Sequence, residues 1–159
     1  MSNSDSLRAL HPNHLKLLRV RGSFLALALL AAAALADSTL LKKTALPFGL
    51  ATAAAAAIGL LLVLVLPPRR YRSWAWRMEE DELRIASGVL VRSDAVVPFG
   101  RVQHIDIVRG PLQRRYGLGS LVLHTAGTRS AAVLLPGLEA SEAERIRDHV
   151  RSKIREDLE

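Results

Sequence analysis

The sequence predicts a membrane-anchored α+β protein: an N-terminal transmembrane helical hairpin, then a small antiparallel β domain capped by a C-terminal α-helix. Three observations carry this prediction. Two long apolar runs occupy the front of the chain, alternating apolar and polar residues follow Pro68, and an amphipathic helical stripe ends it. With 159 residues, the chain has room for one or two small units of this kind.

The second apolar run is the clearer of the two predicted membrane spans. Residues 45–66 contain no charged side chain, and about 20 apolar residues suffice to cross the hydrocarbon core of a bilayer. A chain of this size has too little other structure to cover such a helix on all sides, which argues against a buried soluble helix. We expect Pro47 in the first helical turn, and we expect Pro67 and Pro68 to end the helix.

The first apolar run, residues 22–41, has two interpretations because Asp37 interrupts it near its end. It is either a second span or a secretory signal peptide. In the signal peptide, Arg19 and Arg21 would form the basic region and Ala34-Leu35-Ala36 the cleavage site. The long leading segment and the closeness of the next span favour a two-helix hairpin, so we expect residues 22–41 to cross the membrane.

The charged residues around the two runs predict the orientation in the membrane. Basic side chains precede the first run and follow the second, whereas the connecting loop holds only Lys42 and Lys43. The positive-inside rule then places both termini in the cytoplasm, with residues 1–21 as a cytoplasmic tail. Arginine far outnumbers lysine and alanine is abundant, which is typical of a GC-rich bacterium. We therefore expect a multi-pass protein of the bacterial cytoplasmic (inner) membrane.

The composition also argues against several classes of function. The chain has no cysteine, so it has no thiol nucleophile and no cysteine-bound zinc. Its net charge is +7, but the basic residues form no dense stripe, so we expect no nucleic-acid partner. Neither span carries an ionisable residue at mid-depth, which a transport path usually needs. No motif calls for a cofactor.

The part of the chain after Pro68 reads as a series of short strands separated by turns. The predicted strand pieces are residues 72–78, 83–85, 89–91, 96–99, 102–109, 121–124 and 131–135. In the fifth piece, alternation predicts that Gln103, Ile105 and Ile107 share one face of the sheet. Six or seven short strands of this kind suggest a small barrel or sandwich.

One amphipathic helix is predicted at the end of the chain. Ser141 and Glu144 have the spacing of a capping box, which predicts the helix start at that serine. An apolar stripe at helical spacing follows, formed by Ala143, Ile146, Val150 and Ile154. A membrane-surface helix with a basic face is the rival interpretation, but the stripe is narrow and lacks aromatic residues. We expect the stripe to pack on the sheet.

Three consecutive stretches carry a family resemblance. The first is Val97-Pro98-Phe99-Gly100-Arg101-Val102-Gln103-His104-Ile105-Asp106-Ile107, and residues 110–119 and 124–127 continue it. Together they resemble the signature of the YdbS-like bacterial pleckstrin-homology (PH) domain membrane proteins, with Val102 and Tyr116 as mild departures. The resemblance extends, with the two spans, over nearly the whole chain. It implies a PH-like fold for residues 69–159, and it brings no catalytic residues or ligand with it.

The polar residues of this stretch are the candidate site. Those expected to bind a partner or lipid are Arg101, Gln103, Arg109, Gln113, Arg114 and Arg115. Arginine forks suit phosphate and carboxylate groups. Three interpretations stay open. The residues form a protein-binding surface, or they contact lipid headgroups, or they have no binding role. In the last case Arg101 and Gln103 form buried hydrogen bonds that hold a bend of the sheet, while Arg114 and Arg115 are only solvated.

Catalysis and metal binding are the weaker interpretations. His104 and Asp106 lie two apart on one strand, and with Ser120 or His124 they would form a triad or a three-ligand metal site. No nucleophile elbow or glycine-rich loop accompanies them, so we expect neither an enzyme nor a metal centre.

The sequence thus predicts a non-enzymatic adaptor held at the membrane, whose PH-like domain binds a partner protein or its own copies. The alternative is a sensor of anionic lipid headgroups at the inner leaflet.

Overall fold

A computed structural model describes residues 7–39, 47–126 and 132–156. Residue 156 is described by its backbone alone. The helices are α1 (Pro12–Thr39), α2 (Leu50–Leu60), α3 (Leu66–Arg72), α4 (Pro111–Arg115) and α5 (Ala140–Glu156). The strands are β1 (Arg8–Ala9), β2 (Ala75–Met78), β3 (Glu82–Ser87), β4 (Ser93–Pro98), β5 (Val102–Val108), β6 (Leu118–Thr125) and β7 (Ala132–Glu139). Two compact units result: residues 15–69 form one, and residues 1–14 together with 70–159 form the other.

The helical unit contains two helices that are long and apolar enough to cross a membrane. They run over Pro12–Thr39 and Leu50–Arg72, and 17% of the most apolar stretch of each is buried. A core helix of a soluble protein would be mostly buried, so this exposure agrees with lipid-facing helices. The end of the first predicted span and the predicted loop lysines lie outside the described residues.

The second apolar helix continues through its prolines, contrary to the expectation that Pro67 and Pro68 end it. Over Leu61–Val65 the helix widens to a π-helical turn, in which the N–H of Leu66 donates to the carbonyl of Leu61. Proline lacks an N–H and clashes with the carbonyl four residues earlier, and the wider turn accommodates both defects. The expectation that Pro47 lies in the first helical turn was also wrong, because the helix begins at Leu50 and Pro47 lies in the turn before it.

Close approach of backbone and one polar contact hold the helical unit together. A Cβ on Gly59 would lie 3.1 Å from the Cβ of Ala26, which shows how near the two helices come. The carboxylate of Asp37 accepts hydrogen bonds from the backbone N–H of Thr52 at 2.9 Å and from its hydroxyl at 2.6 Å. Asp37 therefore provides an acceptor for the first turn of α2, where N–H groups have no partner within the helix.

The β unit contains two antiparallel sheets, in the orders β1-β2-β3-β4 and β5-β6-β7. Its first strand comes from before the apolar helices: Arg8 pairs with Trp76, and Ala9 pairs with Ala75. The sequence pattern predicts a cytoplasmic tail here and gives no sign of a strand. The sheet is thus formed from one segment that precedes the helical unit in the sequence and others that follow it.

The N-terminal segment is tied to the β unit beyond its strand. Leu10 is 2% exposed and lies in the core, and its carbonyl accepts a hydrogen bond from the Tyr71 hydroxyl at 2.7 Å. The N–H of His11 donates to the carbonyl of Gly137 at 2.9 Å. Residues 8–11 are therefore an integral part of this unit.

The core lies between the two sheets and α5. Its fully buried side chains include Phe99, Leu83, Leu121, Leu123, Leu135, Leu138, Ile146 and Val150. The predicted stripe of α5 faces this core, as expected, because three of its four residues are at most 2% exposed and Ile154 packs against it. The predicted α+β class, with a helical hairpin, antiparallel sheets and a closing helix, is confirmed.

Two local predictions in the β unit were wrong. Residues 89–91, predicted as a strand piece, form the turn between β3 and β4. In β5 a bulge lies between Val102 and His104, so Val102 and Ile105 are both buried while Gln103 is exposed. Strict alternation would put those two apolar residues on opposite faces, and the extra residue of the bulge removes that conflict.

The start of the last helix also differs from its prediction. The helix begins at Ala140, and the hydroxyl of Ser141 donates to the carboxylate of Glu139 at 3.0 Å. Glu144 instead accepts from the guanidinium of Arg109 at 2.6 Å. The capping box is therefore not formed, because its two side chains have other partners.

Candidate functional site

The predicted site centres on α4, a short helix that follows β5. Gly110 in extended conformation precedes the helix, and Pro111 occupies its first turn, where a missing N–H costs little. Gln113 is 8% exposed and joins this helix to the sheet: its Oε1 accepts from the N–H of Gly110 at 2.8 Å, and its Nε2 donates to the hydroxyl of Ser120 at 2.7 Å. Gln113 is thus a structural anchor on the inner side of α4.

The N-terminal segment supports the far end of α4. The side-chain amide of Asn13 donates to the carbonyl of Tyr116 at 3.2 Å. Gly117 follows with a φ of +68°, a conformation that suits glycine and turns the chain into β6. The position of α4 is therefore fixed at both ends.

Arg109 points toward the closing helix. One of its terminal nitrogens lies 2.6 Å from the carboxylate of Glu144 and 3.4 Å from the carbonyl of Ala140. These contacts join the residue after β5 to the first two turns of α5. Among the predicted binding residues, Arg109 and Gln113 thus have partners inside the β unit.

Arg114 and Arg115 differ from these two. Both are exposed on α4, and no ion pair joins either of them to any residue that the structure describes. Arg101 and Gln103 are also exposed, which contradicts the interpretation that they form buried hydrogen bonds at the sheet bend. They lie at the start of β5, and α4 follows its end, so about 20 Å of strand separates the two groups.

The structure brings His104, Asp106 and His124 together on neighbouring strands. His104 and His124 are opposite each other in the register of β5 and β6. Their Nε2 atoms lie 2.8 Å and 3.3 Å from the two carboxylate oxygens of Asp106. The three side chains are 40–64% exposed. Among the residues that the structure describes, no three histidine, aspartate or glutamate side chains are placed to hold a metal ion.

Ser120 completes no triad with these histidines. It is buried, and its hydroxyl accepts the hydrogen bond from Gln113. The cluster of His104, Asp106 and His124 is therefore a group of mutually contacting surface side chains on β5 and β6, without a nucleophilic serine.

A shallow depression of about 380 Å³ on the first sheet is lined by Arg77, Arg84 and Arg92, among other residues. Its charge is largely compensated within the domain. Arg77 contacts Glu79, and Arg84 lies 3.2 Å from Glu79. The hydrogen bond of Arg84 to the nearby Glu82, together with both carboxylate charges, raises the pKa of the Arg84 guanidinium above its ordinary value. These contacts make the depression a poor anion site.

One exposed feature was predicted only in part: a turn is expected at Ser87-Gly88, but the turn between β3 and β4 also contains residues 89–91, which were predicted as a strand piece. Its tip, Val89-Leu90-Val91, is 51%, 97% and 81% exposed in that order. The residues looked like a strand piece because they are aliphatic and mostly β-branched. The Ser87-Gly88 pair before them was the available signal of a turn.

Comparison with known proteins agrees with this architecture. The family description of the bacterial PH domain matches residues 23–154. Over 91 residues the chain is 36% identical to the transmembrane protein YdbS of Bacillus subtilis (strain 168). The aligned residues make up 57% of this chain and 55% of YdbS. The chain is also 32% identical over 85 residues to the transmembrane protein YdbT of the same organism. That alignment includes 53% of this chain and 17% of YdbT. The match therefore spans about half of YdbS and less of YdbT.

No solved structure matches the chain.

Proposed function

This chain belongs to the bacterial PH domain family, and from that premise we propose that it is a membrane-anchored adaptor. Its PH-like domain binds a partner protein, or a second copy of the chain, at the cytoplasmic face of the bacterial inner membrane. The contact is made by α4, through Arg114 and Arg115. The two apolar helices keep the domain at the membrane, where the partner is met.

The exposure of the arginine pair on α4 is the observation that carries this proposal. Gln113 holds the helix to the sheet, so the fold of this segment does not depend on Arg114 or Arg115. Their charges have no described ion-pair partner, whereas Arg109 has one in Glu144. Two adjacent guanidinium groups on a fixed helix suit a surface that presents carboxylates.

The shape of the domain supports binding to a macromolecule rather than catalysis. Two concave regions lined by described residues are shallow, with volumes of about 210 Å³ and 380 Å³. Ligand pockets for small molecules usually enclose most of their ligand. Ser120, the serine of the possible triad, is buried and accepts a hydrogen bond from Gln113, so it is not placed to act as a nucleophile for this cluster.

The pairing of β1 with β2 supports the proposed topology. Residues 8–9 and 75–78 belong to one sheet, so they lie on the same side of any membrane that the intervening chain crosses. The number of crossings between them is then even, as in a two-span hairpin. Cleavage after Ala36 would remove β1 from the sheet, which argues against a signal peptide.

Photo-crosslinking in intact cells of the source organism tests the adaptor proposal. A photoreactive residue replaces Pro111, which is exposed on the same helix as the arginine pair, whereas a reactive group at Gln113 would be buried. We expect a discrete protein adduct that disappears when Arg114→Glu and Arg115→Glu are added.

The matched control is the pair Arg145→Glu and Arg151→Glu, which makes the same charge change at exposed positions of α5. We expect it to keep the adduct. An adduct that survives reversal of the α4 charges would refute the proposed contact. Adducts with lipid alone would favour the alternative, a sensor of anionic headgroups, in which each basic residue contributes about 1 kcal/mol.

A further inference from the structure

The turn between β3 and β4 is the most exposed apolar element of the β unit. Its tip, Val89-Leu90-Val91, presents three consecutive aliphatic side chains, and Leu90 is 97% exposed. Single exposed apolar residues are common on soluble domains, but three adjacent ones at the end of a hairpin mark a surface that another apolar phase covers.

The exposure is built into the backbone of the turn. Ser87 and Ser93 are paired at its base, and Gly88 has a φ of +118°, a region that other residues rarely adopt. A Cβ on Gly88 would lie 1.8 Å from the carbonyl oxygen of Val91. The turn therefore needs glycine at this position, and its tight closure directs the next three residues outward.

The tip lies at the end of the sheet from which the chain leaves for its apolar helices. Ala9, Ala75, Ala86 and Asp94 form one row across the first sheet. Beyond that row, on the same side, lie the exit after Ala9, the return before Ala75 and the 87–93 turn. The opposite end carries the acidic Glu79–Asp81 turn.

The residues around the tip fit a lipid interface. Residues 87–91 carry no charge, and Arg92, which follows directly, is exposed. Aliphatic side chains enter the boundary between headgroups and acyl chains, while a neighbouring arginine stays at the anionic headgroups. Asp94 lies farther from the tip, within β4.

We propose that Val89, Leu90 and Val91 insert into the lipid interface of the membrane in which the same chain is anchored. The occupant of this surface is the bilayer, and the ligand chemistry is the apolar zone beneath the headgroups. This contact fixes one end of the domain on the membrane. It is independent of the Arg114 and Arg115 contact, because it uses other residues and an apolar interaction.

The absence of cysteine allows a clean test with the full-length chain. Leu90→Cys is labelled with an environment-sensitive dye in nanodiscs of phosphatidylcholine and phosphatidylglycerol. Glu80→Cys is the matched control, because it is exposed at the opposite end of the same sheet. Because Leu90 is almost fully exposed, its replacement leaves the fold intact.

We expect the dye at position 90 to emit at shorter wavelength than the dye at position 80. We expect lipids that carry a spin label on the upper acyl chain to quench the dye at position 90. We expect high salt to leave this quenching unchanged. A dye that is shielded but not quenched by these lipids is covered by protein, and that result would overturn the proposal. Emission equal to that of the control would do the same.

A second variant excludes insertion driven by the dye itself. Val89→Ser and Val91→Ser are added to Leu90→Cys, and lipid quenching is expected to fall because the flanking side chains no longer insert. Quenching that persists at full strength would show that the dye, not the tip, enters the bilayer. The photo-crosslinking at Pro111 is read separately, so either proposal can fail alone.

Discussion

Leu10→Ala is predicted to destabilise the β unit as strongly as a mutation in the middle of its core. Leu10 is 2% exposed and packs in the same cluster as Trp76. Truncation of a buried leucine costs about 2–5 kcal/mol, through lost burial and the cavity left behind. Leu7→Ala is the control, because Leu7 is 43% exposed and its truncation should cost at most about 0.5 kcal/mol.

Urea unfolding of the full chain in detergent micelles measures the difference. Both tryptophans of the chain, Trp74 and Trp76, lie in the β unit, so their fluorescence reports on that unit alone. With a slope of about 1.5 kcal/mol per molar urea, a loss of ~3 kcal/mol lowers the midpoint by about 2 M. If Leu10→Ala moved the midpoint no further than Leu7→Ala does, the N-terminal segment would not belong to the folded unit.

Three further substitutions test other contacts. Gln113→Ala should lower the free energy of unfolding by about 2–4 kcal/mol, since it leaves the buried hydroxyl of Ser120 and the partly buried N–H of Gly110 without this partner. Arg115→Ala should change the free energy of unfolding by less than about 0.5 kcal/mol in the same urea assay. Gly88→Ala should cost about 1–3 kcal/mol, because alanine cannot adopt the turn without strain, and an unchanged midpoint would contradict this. Asp37→Ala should weaken the helical unit by about 1 kcal/mol through loss of its bonds to Thr52, measured by SDS titration with circular dichroism; Asp37→Asn, which keeps an acceptor, should lose less.

The parts of the fold that the sequence predicted are those encoded by local periodicity. The second apolar helix is visible as a run without charge, although its bounds differ from the predicted 45–66, and the α5 stripe is visible at helical spacing. In both cases one segment contains the whole signal. The prolines at positions 67 and 68 show the limit, since a wider helical turn absorbed a defect that usually ends a helix.

The missed elements depend on residues far apart in the chain. A strand of two residues has no periodicity, and Arg8–Ala9 forms β1 only because β2 is available some 66 positions later. Val89-Leu90-Val91 has the composition of a strand, and the backbone of Gly88 decides that it is a turn. The bulge at Gln103 likewise depends on long-range packing, because it allows both Val102 and Ile105 to reach the core.

The candidate site was predictable as a segment but not residue by residue. Gln113 and Arg114 are adjacent polar residues, and nothing in the sequence tells that the first is a buried anchor and the second a free surface charge. Arg109 became a structural residue through Glu144, which is 35 positions away. Burial and long-range pairing are properties of the folded domain, and the motif does not contain them.

The place of β1 in the chain has a consequence for how the protein is made. Arg8 and Ala9 leave the ribosome before both apolar helices, and the strand that they pair with leaves it after them. The first sheet therefore closes only after both apolar helices have been synthesised. If both helices cross the membrane, as proposed, a molecule with β1 and β2 on opposite sides would lack its edge strand and the buried Leu10. Under that proposal, assembly of the domain tests the insertion of the chain, because only chains with both segments on one side reach the stable fold.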